Sequence, residues 1–142
     1  MRRILFLLLA LPLATSVFRA AAEEVEIHIR VINGKSGRPV QDEKLNVYRD
    51  RDQMGSEVYP TGERGLILLR VERGASIRVA PNIYVTCHPY KAGDKERFYA
   101  VEHILAEGIV DSNMCGKKKV IAKPGEFVFF ERSRSLWEWM RL

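Results

Sequence analysis

Val25-Glu26-Ile27-His28-Ile29-Arg30-Val31 alternates without a break: Val25, Ile27, Ile29 and Val31 fall on one face, Glu26, His28 and Arg30 on the other. A period of two with β-branched residues on the apolar side predicts a half-buried strand. Asn33-Gly34-Lys35-Ser36-Gly37-Arg38-Pro39 follows, a run of turn formers. Leu45 to Tyr48 predicts a second, shorter strand. Residues 49–65 are polar and punctuated by Gly55, Pro60, Gly62 and Gly65. They predict a long loop with one short strand around Val58. Leu66 to Val71 is a nearly continuous apolar run, which predicts a central strand. Ala75 to Ala80 alternates again, with Ile77 and Val79 inward. Beyond Pro81-Asn82, Ile83, Val85 and Cys87 share a face, pointing Cys87 at the core or its margin.

The period then changes. Phe98, Val101, Ile104 and Leu105 stand at helical spacing and Gly108 is a stop, predicting a helix over 97–107. Asp111 to Lys119 is a predicted loop. Pro124-Gly125 makes a turn, and Glu126 to Glu131, with Phe127, Val128, Phe129 and Phe130, makes the last strand. An aromatic tail over 135–142 carries Trp137 and Trp139. Six or seven short strands at fairly even spacing predict an all-β fold: a single antiparallel, immunoglobulin-like sandwich with one short helix. The immunoglobulin signature itself is absent, since no Trp lies between the two Cys.

The N-terminus predicts export. Met1-Arg2-Arg3 is a positive start, Ile4 to Ala14 an apolar run, and Ala20-Ala21-Ala22 a small-residue site, so cleavage is expected before Glu23. The run of about 11 residues is too short to span a bilayer, which takes roughly 20. The expected domains are a signal peptide over 1–22 and one β domain over 23–142, secreted or periplasmic, with no integral membrane segment after cleavage. Intact-mass analysis of the exported protein checks this: a chain beginning at Glu23 is expected, and retention of Met1 to Ala22 sinks the expectation.

The full chain has 23 basic and 18 acidic residues, a net charge of +5. Arg2, Arg3 and Arg19 lie in the signal, so 20 basic residues face the same 18 acids in the mature part, +2. A nearly balanced surface argues against nucleic-acid binding, which needs a basic stripe. Lys117-Lys118-Lys119 is the one basic run, expected as a solvated loop tip. Cys87 and Cys115 are the only cysteines and belong to the mature part. In an oxidising compartment they predict a disulfide.

The opening Val25 to Gly34, followed by Ser36-Gly37-Arg38-Pro39-Val40, resembles the first strand and turn of carboxypeptidase regulatory-like domains. Thr61-Gly62-Glu63-Arg64-Gly65-Leu66 looks like their later step into a strand. The resemblance covers about residues 25–86. It implies a transthyretin-like (prealbumin-like) sandwich of seven strands and a binding or structural role, not an activity. Pro124-Gly125-Glu126 and the aromatic tail are similar to small uncharacterised secreted bacterial proteins. The hydroxyisourate hydrolases share the transthyretin fold and use an early-strand His, which His28 matches in place. They end in Tyr-Arg-Gly-Ser, whereas this chain ends in Trp139-Met140-Arg141-Leu142.

No residue pattern amounts to a catalytic site, a cofactor cradle or a metal centre. His28, His88 and His103 fall on a strand, beside Cys87 and on the predicted helix. A metal site needs several ligands at compatible spacing. Asp50/Asp52 and Glu23/Glu24 stand in polar stretches, where nothing raises a carboxyl pKa toward acid catalysis. The function read here is therefore a non-catalytic exported module that binds an unknown protein or surface polymer. The alternative is a small transthyretin-like hydrolase, which would need at least two of the three His to converge with an Arg or an acid. Binding anchors are expected among Trp137, Trp139, Arg134 and Arg141, with Tyr59 and Tyr90 behind them. The competing expectation for the tail is that it packs back onto the sandwich.

Overall fold

The computed structural model describes residues 22–50, 55–88 and 97–140. The expected signal peptide other than Ala22, together with Asp52, Tyr90, Arg141 and the side chain of Trp139, lies outside the described residues. Among those described there are nine strands and two short helices: β1 (Glu24–Asn33), β2 (Lys44–Arg49), β3 (Ser56–Pro60), β4 (Leu66–Glu72), β5 (Ser76–Pro81), β6 (Val85–Thr86), β7 (Tyr99–Ala100), α1 (Val101–Glu107), β8 (Ile109–Val110), β9 (Glu126–Arg132) and α2 (Leu136–Trp139).

The fold is mainly β and sandwich-like, as expected, but neither all-antiparallel nor built of six or seven strands. One sheet has the order β4-β1-β9-β6, with β8 also on β9; the other has the order β3-β2-β5-β7. β1 and β9 are parallel, with His28 opposite Glu126 and Asn33 opposite Glu131, and β8 also runs parallel to β9. A parallel neighbour requires a long crossover. Here the whole chain between residues 33 and 126 lies between β1 and β9, and the 111–125 loop alone joins β8 to β9. Residues Phe127, Val128, Phe129 and Phe130 are all buried, the mark of a strand covered on both faces.

Two other expectations need correction. The apolar run Leu66 to Val71 forms an edge strand, not a central one. Ile67, Leu69 and Val71 face the core while Leu68 is 52% exposed. The helix expected over 97–107 begins at Val101. Tyr99 and Ala100 pair with Ile77 and Ser76, and the Val101 amide donates to the Ala75 carbonyl, so sheet pairing continues up to the helix. Ala100 at the N-cap offers no side-chain oxygen, so nothing local favours an earlier start. Gly108 does end the helix, at φ +76°, with its amide on the Ile104 carbonyl.

Between the sheets, Ile27, Ile29, Val31, Leu69, Phe127 and Phe129 meet Leu45, Val47, Ile77 and Val79, with Val101 and Ile104 of α1 against them. A second, smaller core lies on the outer face of the first sheet. Ile32, Cys87, Val128 and Phe130 pack there beneath Cys115, Val120 and Ala122 of the 111–123 loop. Cys87 and Cys115 form the expected disulfide, with Cα atoms 5.1 Å apart, inside the usual range.

Candidate functional site

The C-terminal segment groups three strongly exposed apolar side chains. Leu136, Trp137 and Met140 are 80%, 74% and 67% exposed. The expectation that the tail packs back onto the sandwich therefore fails for Trp137. The helix that displays it is nonetheless held in place. The Ser135 side chain accepts from the Glu138 amide and the Glu138 carboxylate accepts from the Ser135 amide, a complete capping box. Arg132, at the end of β9, grips both Glu138 oxygens at 2.8 and 2.5 Å. That hydrogen bonding to Arg132, reinforced by the Ser135 amide, holds the Glu138 carboxyl far below its ordinary range. Just before α2, Arg134 and Ser133 share a small groove with Ile83 and Tyr84, and Ile83 is 50% exposed. Of the expected anchors, Trp137 is thus exposed on α2 and Arg134 lines the groove just before it. Tyr59 is instead a half-buried side chain of β3, with its hydroxyl engaged by Arg49 and Glu57.

A second cluster forms where two strands run toward each other along one side of β9. β8 lies beside Phe127 and Val128, and β6 beside Glu131 and Arg132 in the opposite direction. The Asp111 amide reaches the Val128 carbonyl and the Cys87 amide the Phe130 carbonyl, both at 2.9 Å. Their convergence brings His88 Nδ1 to 3.6 Å from Asp111 Oδ1, with both side chains buried. The same oxygen accepts the Tyr99 hydroxyl at 2.7 Å and the Ser112 amide at 2.7 Å. Burial, and then the hydrogen bond to Asp111, raise the Tyr99 phenol well above its ordinary value. The Tyr99 and Ser112 hydrogen bonds to Asp111 tie these strand ends together, with His88 beside them. The three histidines have separate settings. His28 is exposed on β1, and His103 is exposed on α1 beside Glu107 at 3.9 Å.

The third feature is absent from the sequence reading. Glu131 continues the inward face of Phe127 and Phe129 and is 0% exposed. Neither of its carboxyl oxygens has a hydrogen-bond partner among the described residues. Desolvation by this burial, with the charge of Glu43 added, pushes its carboxyl up to about 8. Glu43 is itself buried, and its Oε1 accepts from the Asn82 and Ile83 amides at 3.3 and 3.2 Å. The signal was the strand period: counting by two from Phe127 places residue 131 between the sheets. Among the described residues, no group of three or more acidic, His or Cys side chains could hold a metal ion.

The chain matches no protein-family model, no curated protein and no solved structure.

Proposed function

We propose that this chain is a non-catalytic exported module that binds a protein partner through its C-terminal segment. The observation that carries the reading is the exposure of Leu136, Trp137 and Met140 on a helix that a capping box and the Arg132–Glu138 pair hold in place. Large apolar side chains shown to solvent on a fixed element, with Arg134 and Ile83 nearby, are what a partner-binding patch offers. Preorganisation lowers the ordering cost of binding. The disulfide and the N-terminal pattern support export. The likeness of the Val25–Val40 and Thr61–Leu66 stretches to carboxypeptidase regulatory-like domains supports a module rather than an enzyme.

Trp137→Ala separates this from a structural role. A core Trp would cost about 3–5 kcal/mol on truncation. An exposed one is expected to change stability by less than about 0.5 kcal/mol. Thermal denaturation should therefore superimpose on wild type. Affinity for a partner recovered from the exported fraction and identified should fall by more than about tenfold, as at a binding hot spot. A large loss of melting temperature, or unchanged affinity for that partner, refutes the proposal.

A further inference from the structure

We infer that the disulfide-bearing loop forms a binding groove for a small anionic amphiphile, a molecule with a phosphate or carboxylate head and an apolar body. The groove has a volume of about 560 Å³ and is lined by Val110, Val120 and Phe130 and by Lys117, Lys118 and Lys119. That volume lies within the roughly 300–1,000 Å³ of small-molecule sites, which pair an apolar lining with a few placed polar groups.

Charge selects the ligand. The mature chain is nearly neutral, yet three consecutive cations meet here. None of the three lysines has an ion-pair partner among the described residues. Asp111, the acid on the wall, is buried, its side chain 4% exposed and its Oδ1 accepting from the Tyr99 hydroxyl and the Ser112 amide. The ammonium groups are therefore left to face an incoming anion, as point charges suited to phosphate or carboxylate. Val110 is 40% exposed, so part of the floor is reachable from solvent.

The loop is built to hold this shape. Cys115 anchors it to Cys87. Asn113 Nδ2 donates to the Gly34 and Lys118 carbonyls at 3.0 and 3.1 Å, and the Met114 amide donates to the Cys87 carbonyl at 2.9 Å. Gly116 sits so close to the Gly34 turn that a Cβ there would come within 2.4 Å of the Gly34 carbonyl oxygen. The Lys118 stem lies over Gly37, where an added Cβ would meet it at 3.3 Å. A site on a loop so fixed binds without first ordering it.

The probe is decyl phosphate, kept below its micelle-forming concentration and titrated calorimetrically into the exported, disulfide-bonded protein. Saturable 1:1 binding is expected. Replacing all three lysines, Lys117→Gln, Lys118→Gln and Lys119→Gln, should weaken it at least about tenfold with the melting temperature unchanged. Val110→Asp should weaken it similarly by charging the floor. Inorganic phosphate and decyltrimethylammonium should each bind far more weakly, because one lacks the apolar body and the other the negative head. The inference is overturned if decyl phosphate shows no saturable binding, if the triple variant binds it as wild type does, or if the cationic amphiphile binds equally well. Sedimentation with phosphatidylglycerol vesicles that depends on the lysines, without binding of free decyl phosphate, would also overturn it in favour of a membrane surface.

Discussion

Stability is expected to fall as pH rises from about 5 to 8, and Glu131→Gln is expected to remove most of that fall. Glu131 is fully buried, its oxygens lack hydrogen-bond partners among the described residues, and this burial pushes its carboxyl up to about 8. The unfolded value is near the ordinary 4.5 of a solvated glutamate. Between those two pH values the folded state binds a proton that the unfolded state releases. Raising the pH through this window therefore favours unfolding, with a slope approaching about 1.4 kcal/mol per pH unit for one proton. Over the window the loss is on the order of 3–5 kcal/mol. Below 4.5 both states are protonated, and above 8 both are ionised, so the effect levels off at each end. Glutamine resembles the protonated carboxyl and does not titrate. Other groups contribute their own pH dependence, so the informative quantity is variant minus wild type in urea unfolding at pH 5, 6.5 and 8. That difference should grow with pH in favour of the variant. Parallel profiles would show that water reaches Glu131 and that its burial has no electrostatic consequence. Glu43→Gln should shift the wild-type profile less, because the charge of Glu43 is the smaller of the two causes.

What the sequence made legible follows from which physical signal each element carries. β1, β2 and β5 were readable because one face of each is wet, so polar and apolar residues alternate. The disulfide was readable from the count of cysteines and the export pattern expected at the N-terminus. The parallel pairing of β1 with β9 was not, because a strand buried on both faces has no alternation to fix its neighbours. Phe127 to Phe130 read equally well in either direction. The meeting of His88 with Asp111 depends on two short strands sharing one side of β9, and no local pattern records that. The displayed Trp137 had a usable signal: Ser135 followed three residues later by Glu138 is a capping box, which marks a helix start where only an aromatic tail was expected. Glu131 also had one, but a charged residue at the end of a strand reads as its polar terminus unless the period is counted through it.

Removing the disulfide is expected to cost about 3–4 kcal/mol. The bridge closes a separation of 28 residues, and confining a loop of that length in the unfolded chain accounts for this magnitude. The folded state adds a second effect. Cys115 pins the loop whose Val120 and Ala122 cover Ile32, Val128 and Phe130, so its release lets water reach that small outer core. Gly34 shows how close the docking is, since a Cβ there would stand 2.6 Å from Cys87 Sγ and 2.4 Å from Asn113 Oδ1. For a domain of this size, a loss of 3–4 kcal/mol lowers the melting temperature on the order of 10–15 °C. The measurement is thermal unfolding with and without reductant, for wild type and for Cys87→Ala with Cys115→Ala. Reductant should lower the wild-type midpoint to about that of the double variant and leave the variant itself unmoved. Denatured, non-reduced wild type should show no free thiol. Two thiols there would remove the bridge, and a midpoint indifferent to reductant would mean that the 111–123 loop is held by packing against the Gly34 turn rather than by its covalent anchor.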